Sequence, residues 1–350
     1  MKFFEEWRDI VYRVEQFSLS NYGKIQCLNN IKCSNINVIL GENSTGKTFL
    51  LKALYVAIKS QEDYLRGDDT NSLGDILAEK IKWTFQVERL GDLVTKNAKE
   101  PLEFSMTANK SKMEFRFTKD ANRKIVKLSG GVSKEGNSIF IPAKEVLSLY
   151  SIILQSREIN KVFGFDDTYY DLAKALRISP SRGKNYSTFA YARKRVKSII
   201  DGSIDYDESS GRWFYKNANR QKFSIGATSE GIKKISILDR LLANGYLTKD
   251  SVVLIDEIEA ALHPQAICEF LDMVYDISKK MGIQFFITTH SYFVIKKLYL
   301  LAMREQGMVN CISLENSGNN FNCDLFDGMP PNSIINTSVN LYRQEIDEVL

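Results

Sequence analysis

The stretch GENSTGKT, residues 41–48, constrains the fold more than any other part of the sequence. It matches the pattern G-x-x-x-x-G-K-[ST], a glycine-rich loop whose backbone N–H groups surround phosphate oxygens. An apolar run at residues 36–40 precedes the loop and an apolar helical pattern follows it, which is the strand–loop–helix setting that the pattern requires. The predicted nucleotide-binding residues are Gly41, Glu42, Asn43, Ser44, Thr45, Gly46, Lys47 and Thr48.

Two side chains of this loop have expected roles. Lys47 is placed to reach the β- and γ-phosphates, and Thr48 is placed to offer its hydroxyl to Mg²⁺. Loops of this kind serve kinases, GTPases, motors, transporters and DNA-repair ATPases. The loop therefore predicts nucleotide binding and leaves open what the nucleotide is used for.

Composition narrows the class of protein. The chain has 350 residues, 44% of them hydrophobic, which suffices for one large domain or two modest ones. Its net charge of +4 implies no general attraction to nucleic acid. Five scattered cysteines without a C-x-x-C pair argue against a disulfide scaffold or a zinc site. Acidic residues interrupt the N-terminal apolar stretch, and no apolar run approaches the ~18 residues of a membrane span. We therefore expect a cytoplasmic protein that does not enter the membrane.

A second apolar strand, at residues 251–255, ends in Asp256 and Glu257. Ligands of parallel α/β sheets bind at the C-terminal ends of the strands, and phosphate chemistry needs a metal-holding acid and a group that activates water. We expect Asp256 to orient Mg²⁺ through its water shell. Glu257 is then the general base that polarises the attacking water.

Two further segments contain groups that can recognise anions. Ser229, Glu230 and Gly231 form an S-x-G sequence at the predicted start of a helix, where the helix dipole favours phosphate. An ordinary serine N-cap is the alternative for Ser229. His290 follows an apolar strand at residues 283–288, and its imidazole can hydrogen-bond a γ-phosphate or water. A structural histidine is the alternative there, and His263 is expected to be structural or to lie at a dimer contact.

Together these motifs resemble those of ABC-type AAA-family ATPases of the RecF, SMC and OLD-like group. The segment DEIEAALHP, residues 256–264, resembles their DE-x-x-x-x-LHP sequence, and residues 286–291 resemble their switch-histidine strand. Glu230 replaces the second glycine of the common signature, which fits this group better than the transporter ATPases. Weaker similarity extends to residues 21–25 and to residues 140–145, where Lys144 is a candidate for a position near the site.

The resemblance implies an α/β fold: a P-loop NTPase with an ABC-type head, made of a mixed β-sheet with helices on both faces. An antiparallel β subdomain and an inserted helical lobe complete it. The expected divisions are 1–75 for the first part of the ATPase core, 76–143 for the β subdomain, 144–205 for the helical lobe and 206–350 for the rest of the core. Period-two alternation at residues 82–88, 102–106, 113–117 and 124–128 predicts the antiparallel strands.

The resemblance also implies a mechanism in which two ATP molecules, with Mg²⁺, lie between two head-to-tail copies of the chain. Lys47, Glu257 and His290 would be catalytic, and Ser229, Glu230 and Gly231 would act on the nucleotide of the other copy. Thr48 and Asp256 would hold the metal. The glutamine that links metal and helical lobe in the family has no clear counterpart, and Gln86, at the end of the predicted 82–88 strand, is a candidate; a solvated strand residue is the alternative.

Three functions remain open. The first is a sensor or regulatory ATPase for a separately encoded effector, a nuclease or toxin, in anti-phage defence, because the 60 residues after His290 contain no acidic cluster like that of a Toprim nuclease. The second is a RecF-like DNA-repair ATPase, and the third is a nucleotide-dependent scaffold with negligible turnover. DNA binding would use a basic patch at 177–197, in which a solvated helix face is the alternative. The patch comprises Arg177, Arg182, Lys184, Arg193, Lys194, Arg195 and Lys197, with Tyr186, Phe189 and Tyr191 between them.

Overall fold

A computed structural model describes residues 11–67, 70–180, 186–316, 318 and 320–349. Its strands, in chain order, are β1 (Val14–Tyr22), β2 (Ile25–Lys32), β3 (Ile36–Gly41), β4 (Leu102–Ala108), β5 (Ser111–Phe117), β6 (Lys127–Gly130), β7 (Ile139–Ile141), β8 (Gly202–Asp207), β9 (Arg212–Asn217), β10 (Lys222–Ser224), β11 (Val252–Ile255), β12 (Gln284–Thr289), β13 (Val309–Leu314) and β14 (Phe321–Asp324). Its α-helices are α1 (Lys47–Asp63), α2 (Leu73–Phe85), α3 (Tyr150–Leu154), α4 (Asp167–Arg177), α5 (Tyr186–Ile200), α6 (Glu230–Ala243), α7 (Pro264–Met281), α8 (Tyr292–Ala302) and α9 (Ser333–Val349).

Within the described ranges, six strands form a central sheet in the order β14-β13-β3-β12-β11-β7. All neighbours pair in parallel except β14, which is antiparallel to β13. Ile39 and Leu254 face the core that α1 and the antiparallel sheet cover. Val38, Leu40 and Val253 face the core that α6, α7 and α8 cover. Both faces are therefore buried, which explains the continuous apolar runs and confirms the predicted fold class.

A second sheet is antiparallel, in the order β2-β1-β4-β5-β6. The alternation at residues 102–106 and 113–117 does form strands, β4 and β5, whose apolar side chains are buried on one face. This sheet also takes β1 and β2, which precede the phosphate loop. The division of the chain at residues 75, 143 and 205 stays a prediction.

The strand predicted at residues 82–88 is wrong, because residues 73–85 form helix α2. Ser72 caps this helix by accepting a hydrogen bond from the N–H of Asp75, at 3.2 Å. Leu73, Leu77 and Ile81 recur every four residues and are buried, so the helical period decides the packing. The alternation of Trp83 with Phe85 was too short to indicate a strand. The strand predicted at 124–128 begins only at Lys127.

The inserted lobe between β7 and β11 contains α3, a π-helical turn at Gln155–Ile159, α4 and α5, followed by the small sheet β10-β9-β8. Strands β8 and β9 pair as an antiparallel hairpin. No helix in the described ranges is long and apolar enough to cross a membrane. Strands β3, β7, β11 and β12 all end at one edge of the central sheet, and the candidate site lies there.

Candidate active site

The phosphate loop joins β3 to α1. Gly46 is the N-cap of α1 and has a φ of 101°, a left-handed backbone that glycine adopts without steric cost. Ser44 is also left-handed, with a φ of 66°. These turns bring the loop back over the N-terminus of a 17-residue helix, where backbone N–H groups and the helix dipole favour an anion.

The ammonium of Lys47 lies across this loop. Its Nζ donates to the backbone carbonyls of Gly41, at 2.8 Å, and Glu42, at 2.7 Å. Burial lowers the pKa of Lys47, while the carboxylates of Glu257 and Asp256 act in the opposite direction. A cation is therefore held beside both acids, at the place where phosphate charge would be bound.

Thr48 and Asp256 meet at the start of α1. The Thr48 hydroxyl lies 2.9 Å from Oδ1 and 3.0 Å from Oδ2 of Asp256. The Thr288 hydroxyl donates to Oδ1 of Asp256 at 2.7 Å, because the parallel register that pairs Ile255 with Ile287 sets these residues side by side. Asp256 is thus fixed by two hydroxyls from different elements.

The oxygens of Thr48 and Asp256 suit Mg²⁺, a hard cation that binds through one or two carboxylates together with substrate phosphates. In the described part of the chain no group of three or more His, Cys, Asp or Glu side chains is arranged to hold a metal ion. That Thr48 and Asp256 hold Mg²⁺, jointly with phosphate oxygens, stays a prediction.

The backbone of Glu257 is left-handed, with a φ of 43°, a strained conformation for a residue other than glycine. Its N–H donates to the Thr288 hydroxyl at 2.8 Å. Its carbonyl accepts from Nζ of Lys234 at 2.5 Å and from the N–H of Ala260 at 2.8 Å. Such strain clusters at functional sites, and these three bonds hold it in place.

The switch-histidine candidate contacts a third acid. The backbone N–H of His290 donates to Oε1 of Glu259 at 2.8 Å, and its Nδ1 lies 3.3 Å from the same oxygen. The His290 side chain is half exposed at 46%, whereas that of Glu259 is 10% exposed. Glu259 therefore orients the imidazole while leaving one of its edges free to contact a ligand.

The S-x-G sequence begins α6. Ser229 is its N-cap and accepts from the N–H of Ile232 at 3.4 Å, and its side chain is exposed. Glu230 pairs with Lys233 at 2.8 Å. Gly231 packs against the loop that follows β11, because a Cβ there would lie 2.8 Å from the carbonyl oxygen of Ala261. Ser229 is therefore the N-cap of α6 and, at the same time, an exposed hydroxyl at the N-terminus of that helix.

Residues 36–296 match a protein family described as "AAA domain, putative AbiEii toxin, Type IV TA system". The chain belongs to this AAA-domain family. The match begins at β3 and ends inside α8, so it contains the phosphate loop, the S-x-G helix, Asp256, Glu257 and His290.

The AAA-domain chain is also similar to the methionine import ATP-binding protein MetN of Clostridioides difficile (strain 630), with 26% identity over 183 residues. That alignment covers 52% of this chain and 53% of MetN, so the chain spans about half the length of this curated relative.

Two solved structures share the fold. The Smc head domain of Pyrococcus furiosus with an extended coiled coil, bound to the C-terminal domain of ScpA, has a TM-score of 0.51 at 14% identity, over 91% of this chain and 98% of that one. An SmcHead bound to the C-winged helix domain of ScpA has a TM-score of 0.51 at 16% identity, over 89% of this chain and 96% of that one. The family match confirms the predicted AAA-family membership, and the fold of this AAA-domain chain is that of the Smc head domains.

Two further residues were candidates from the sequence: Gln86 as the glutamine that links metal and helical lobe, and Lys144 as a residue near the site. Gln86 does not end a strand; it follows α2 with a left-handed φ of 54°. With its amide oriented by its partners, the amide oxygen accepts from the N–H groups of Gly164, at 3.0 Å, and Asp166, at 3.3 Å. Its role as a metal ligand stays a prediction. Lys144 is exposed just beyond the end of β7, beside β11.

Part of the predicted basic patch is neutralised within this AAA-domain chain. Arg193 pairs with Asp239 at 3.0 Å, and Arg195 pairs with Asp276. Lys194 and Lys197 are exposed on the same helix. The predicted patch members outside the described residues are Arg182 and Lys184, together with the side chains of Tyr186, Phe189 and Tyr191.

Three residues that shape the site were not predicted from the sequence: Thr288, Lys234 and Glu259. Thr288 had a detectable signal, because it lies at the end of an apolar strand of the same kind as the one before Asp256. Lys234 had a weaker one, since it is a lysine within the apolar pattern of α6. Glu259 had none beyond its position two residues after Glu257.

Proposed function

We propose that this chain binds ATP with Mg²⁺ and hydrolyses it to ADP and phosphate. The observation that carries the proposal is the convergence of the Thr48 hydroxyl on both carboxylate oxygens of Asp256, beside Lys47 and at the end of the phosphate loop. Lys47 binds phosphate oxygens. Mg²⁺, when bound, neutralises phosphate charge.

Glu257 then accepts a proton from the attacking water, as its place one residue beyond Asp256 supports. The half-exposed imidazole of His290 forms a hydrogen bond with the γ-phosphate or with the attacking water, with its orientation set by Glu259. Together these side chains bind the phosphate groups, orient the attacking water and accept its proton, all at one edge of the central sheet.

We further propose that two copies form a head-to-tail homodimer around two ATP molecules. Ser229 supports this proposal because its hydroxyl is exposed at a helix N-terminus while Gly231 and Lys234, on the same helix, are buried against their own chain. An exposed anion-binding end suits the nucleotide of a second copy. ATP closes the dimer and hydrolysis opens it, so the nucleotide shifts the population of the chain between a closed and an open state.

The biological role that we propose is a cytoplasmic sensor or regulatory subunit for a separately encoded effector in defence against phage. The family description names a putative toxin of a type IV toxin–antitoxin system, which supports a role within a two-component system; the effector in our proposal is a separately encoded nuclease or toxin. Co-expression with the product of the adjacent reading frame tests this role. Effector activity that is the same with wild type and with Lys47→Ala would count against it.

The proposed chemistry is tested by phosphate release. Wild type should hydrolyse ATP, Glu257→Gln should bind ATP and hydrolyse it about 100-fold more slowly, and Lys47→Ala should lose ATP binding. If wild type is no faster than Glu257→Gln, the chain is a nucleotide-dependent scaffold. The dimer is tested by the mass of Glu257→Gln with ATP, and a monomer under those conditions would contradict the sandwich.

Direct DNA binding, as in a RecF-like repair ATPase, is the second candidate function, and exposed Lys194 and Lys197 favour it. Reversing both charges should abolish salt-dependent DNA binding if this function is correct. Arg193 and Arg195 are poor targets for this test, because each holds an acid of its own chain. Unchanged DNA affinity in the double variant would show that the basic patch does not bind DNA.

A further inference from the structure

Lys234 connects the S-x-G helix to the catalytic loop. It lies five residues after Ser229 on α6, and its side chain is buried. Its Nζ donates to the backbone carbonyls of Asp256, at 3.1 Å, and Glu257, at 2.5 Å. A buried ammonium is costly unless it is hydrogen-bonded, so these two carbonyls fix the side chain firmly.

The same face of α6 makes a second contact with this loop. Gly231 precedes Lys234 by three residues, which places both on one side of the helix. A Cβ on Gly231 would lie 2.8 Å from the carbonyl oxygen of Ala261 and 2.9 Å from Cδ2 of Leu262. The loop of residues 256–262 is therefore attached to α6 at both of its ends.

Both contacts hold a loop that is strained. Glu257 has a φ of 43° and Ala261 a φ of 62°, and both are L-residues in a left-handed conformation. Without Lys234, the carbonyl of Glu257 would keep only its bond from the N–H of Ala260. Strained conformations of this kind persist only where the surrounding contacts specify them more than once.

The three charged groups that shift the pKa of Lys234 all belong to this loop. Asp256, Glu257 and Glu259 favour its charged form, and burial opposes it more strongly, so the pKa of Lys234 is lowered to about 8. The Lys234 ammonium therefore lies near all three acids of the loop, Asp256, Glu257 and Glu259.

We propose that Lys234 is a positioning residue that ties the S-x-G helix to Glu257, so that phosphate contact at Ser229 sets the geometry of the general base in the same chain. Five residues of helix place Ser229 about 7.5 Å from Lys234 along the axis, a distance over which a helix moves as one body. In the head-to-tail dimer, nucleotide bound to one copy thereby adjusts hydrolysis at the other. This inference rests on the proposed ATPase function and names the regulation of that site.

The first test is amide hydrogen exchange of Lys234→Met without nucleotide, with Lys297→Met as the control. Lys297 lies on α8, outside the site; it is partly buried and its Nζ lies 2.7 Å from Oδ2 of Asp272. We expect faster exchange at the amides of Glu257 and Ala260 in Lys234→Met alone. Unchanged exchange there would overturn the inference, and this result does not depend on ATP turnover. If Lys234→Met does not fold, Lys234→Gln replaces it with the same expected result.

The second test is the kinetics. Lys234→Met should lower kcat about 10- to 100-fold with KM for ATP within about twofold of wild type, because only the general base is displaced. Lys234→Arg, which keeps the charge and donors, should recover part of this loss. A rise in KM and a fall in kcat, together with a lower melting temperature, would show a merely structural role. If wild type itself does not hydrolyse ATP, the proposed function fails. The exchange experiment still shows whether Lys234 holds the loop at Glu257 and Ala260.

The third test is a double-mutant cycle on the coupling, in a Glu257→Gln background with ATP. The readout is the ATP-induced protection from exchange of residues 256–262. Ser229→Ala should reduce this protection when Lys234 is present and have little further effect in Lys234→Met, because both act along one route. Independent, additive effects of the two substitutions would overturn the coupling.

Discussion

The Thr48 hydroxyl lies 2.9 Å from Oδ1 and 3.0 Å from Oδ2 of Asp256, across 208 residues of sequence. Thr288 donates to Oδ1 of the same carboxylate, at 2.7 Å. The first residues of α1 and the ends of β11 and β12 are therefore joined through one side chain. A small displacement of any of these elements changes the place where Mg²⁺ and phosphate would bind.

Thr48→Val removes the hydroxyl and keeps the shape of the side chain. We expect affinity for ATP to fall about tenfold or more in the presence of Mg²⁺, since one metal-binding oxygen is lost, and to change little when Mg²⁺ is chelated. Titration of fluorescent ATP with and without Mg²⁺ measures this. An equal loss under both conditions would show that Thr48 contributes through the loop and not through the metal.

Gly231→Ala places a methyl group 2.8 Å from the carbonyl oxygen of Ala261. The collision should displace residues 256–262 and lower kcat about 10-fold or more, while ATP binding through the phosphate loop is kept. Gly226→Ala is the matched control, because the nearest atom to its Cβ would be Oγ of Ser224 at 3.9 Å. Equal kinetics of the two variants would contradict the close approach of α6 to the loop.

Glu259→Ala should release the His290 imidazole, and Glu259→Gln should largely preserve its position because an amide oxygen still accepts from the N–H of His290. We expect hydrolysis to fall about tenfold in the alanine variant and less in the glutamine variant. The chain has only two histidines, His263 and His290, so imidazole NMR signals can be assigned with one His263→Gln variant. An unchanged His290 signal in Glu259→Ala would refute the contact.

The stability of the fold should depend on pH through Lys134, which lies outside the site. Its side chain is buried, with Nζ 3.8 Å from Oε2 of Glu62 and 4.8 Å from the centre of the Tyr12 ring. Burial lowers its pKa from 10.5 to about 8. Between pH ~8 and ~10.5 the unfolded chain therefore binds more protons at this group than the folded chain, so stability rises with pH in that window.

Lys134→Met should lose this dependence. Relative to the variant, wild type should gain about 1–2 kcal/mol in free energy of unfolding between pH 7 and pH 9.5. Urea unfolding of both proteins at the two pH values measures the difference. If that difference is independent of pH, Lys134 does not carry a lowered pKa in the folded state.

Short motifs with a local structural meaning were predictable. The phosphate loop needs only a strand, a glycine turn and a helix in sequence, and α7 begins and ends where Pro264 and Gly282 mark it. Helix α2 was not predicted, because the alternation around Trp83 favours a strand, whereas burial of Leu73, Leu77 and Ile81 decides for the helix. Local pattern was ambiguous there, and packing removed the ambiguity.

By itself, the sequence determined the strand–loop–helix around residues 41–48 and predicted the site residues: Lys47 for phosphate, Thr48 and Asp256 for metal, and Glu257 as general base. All four stand in short motifs whose chemistry follows from neighbouring residues. The tertiary structure alone decided what holds them. Thr288 reaches Asp256 because two parallel strands pair in register, and Lys234 reaches Glu257 because α6 packs across the end of β11. Such contacts depend on elements far apart in the chain, and no local periodicity encodes which of them will meet.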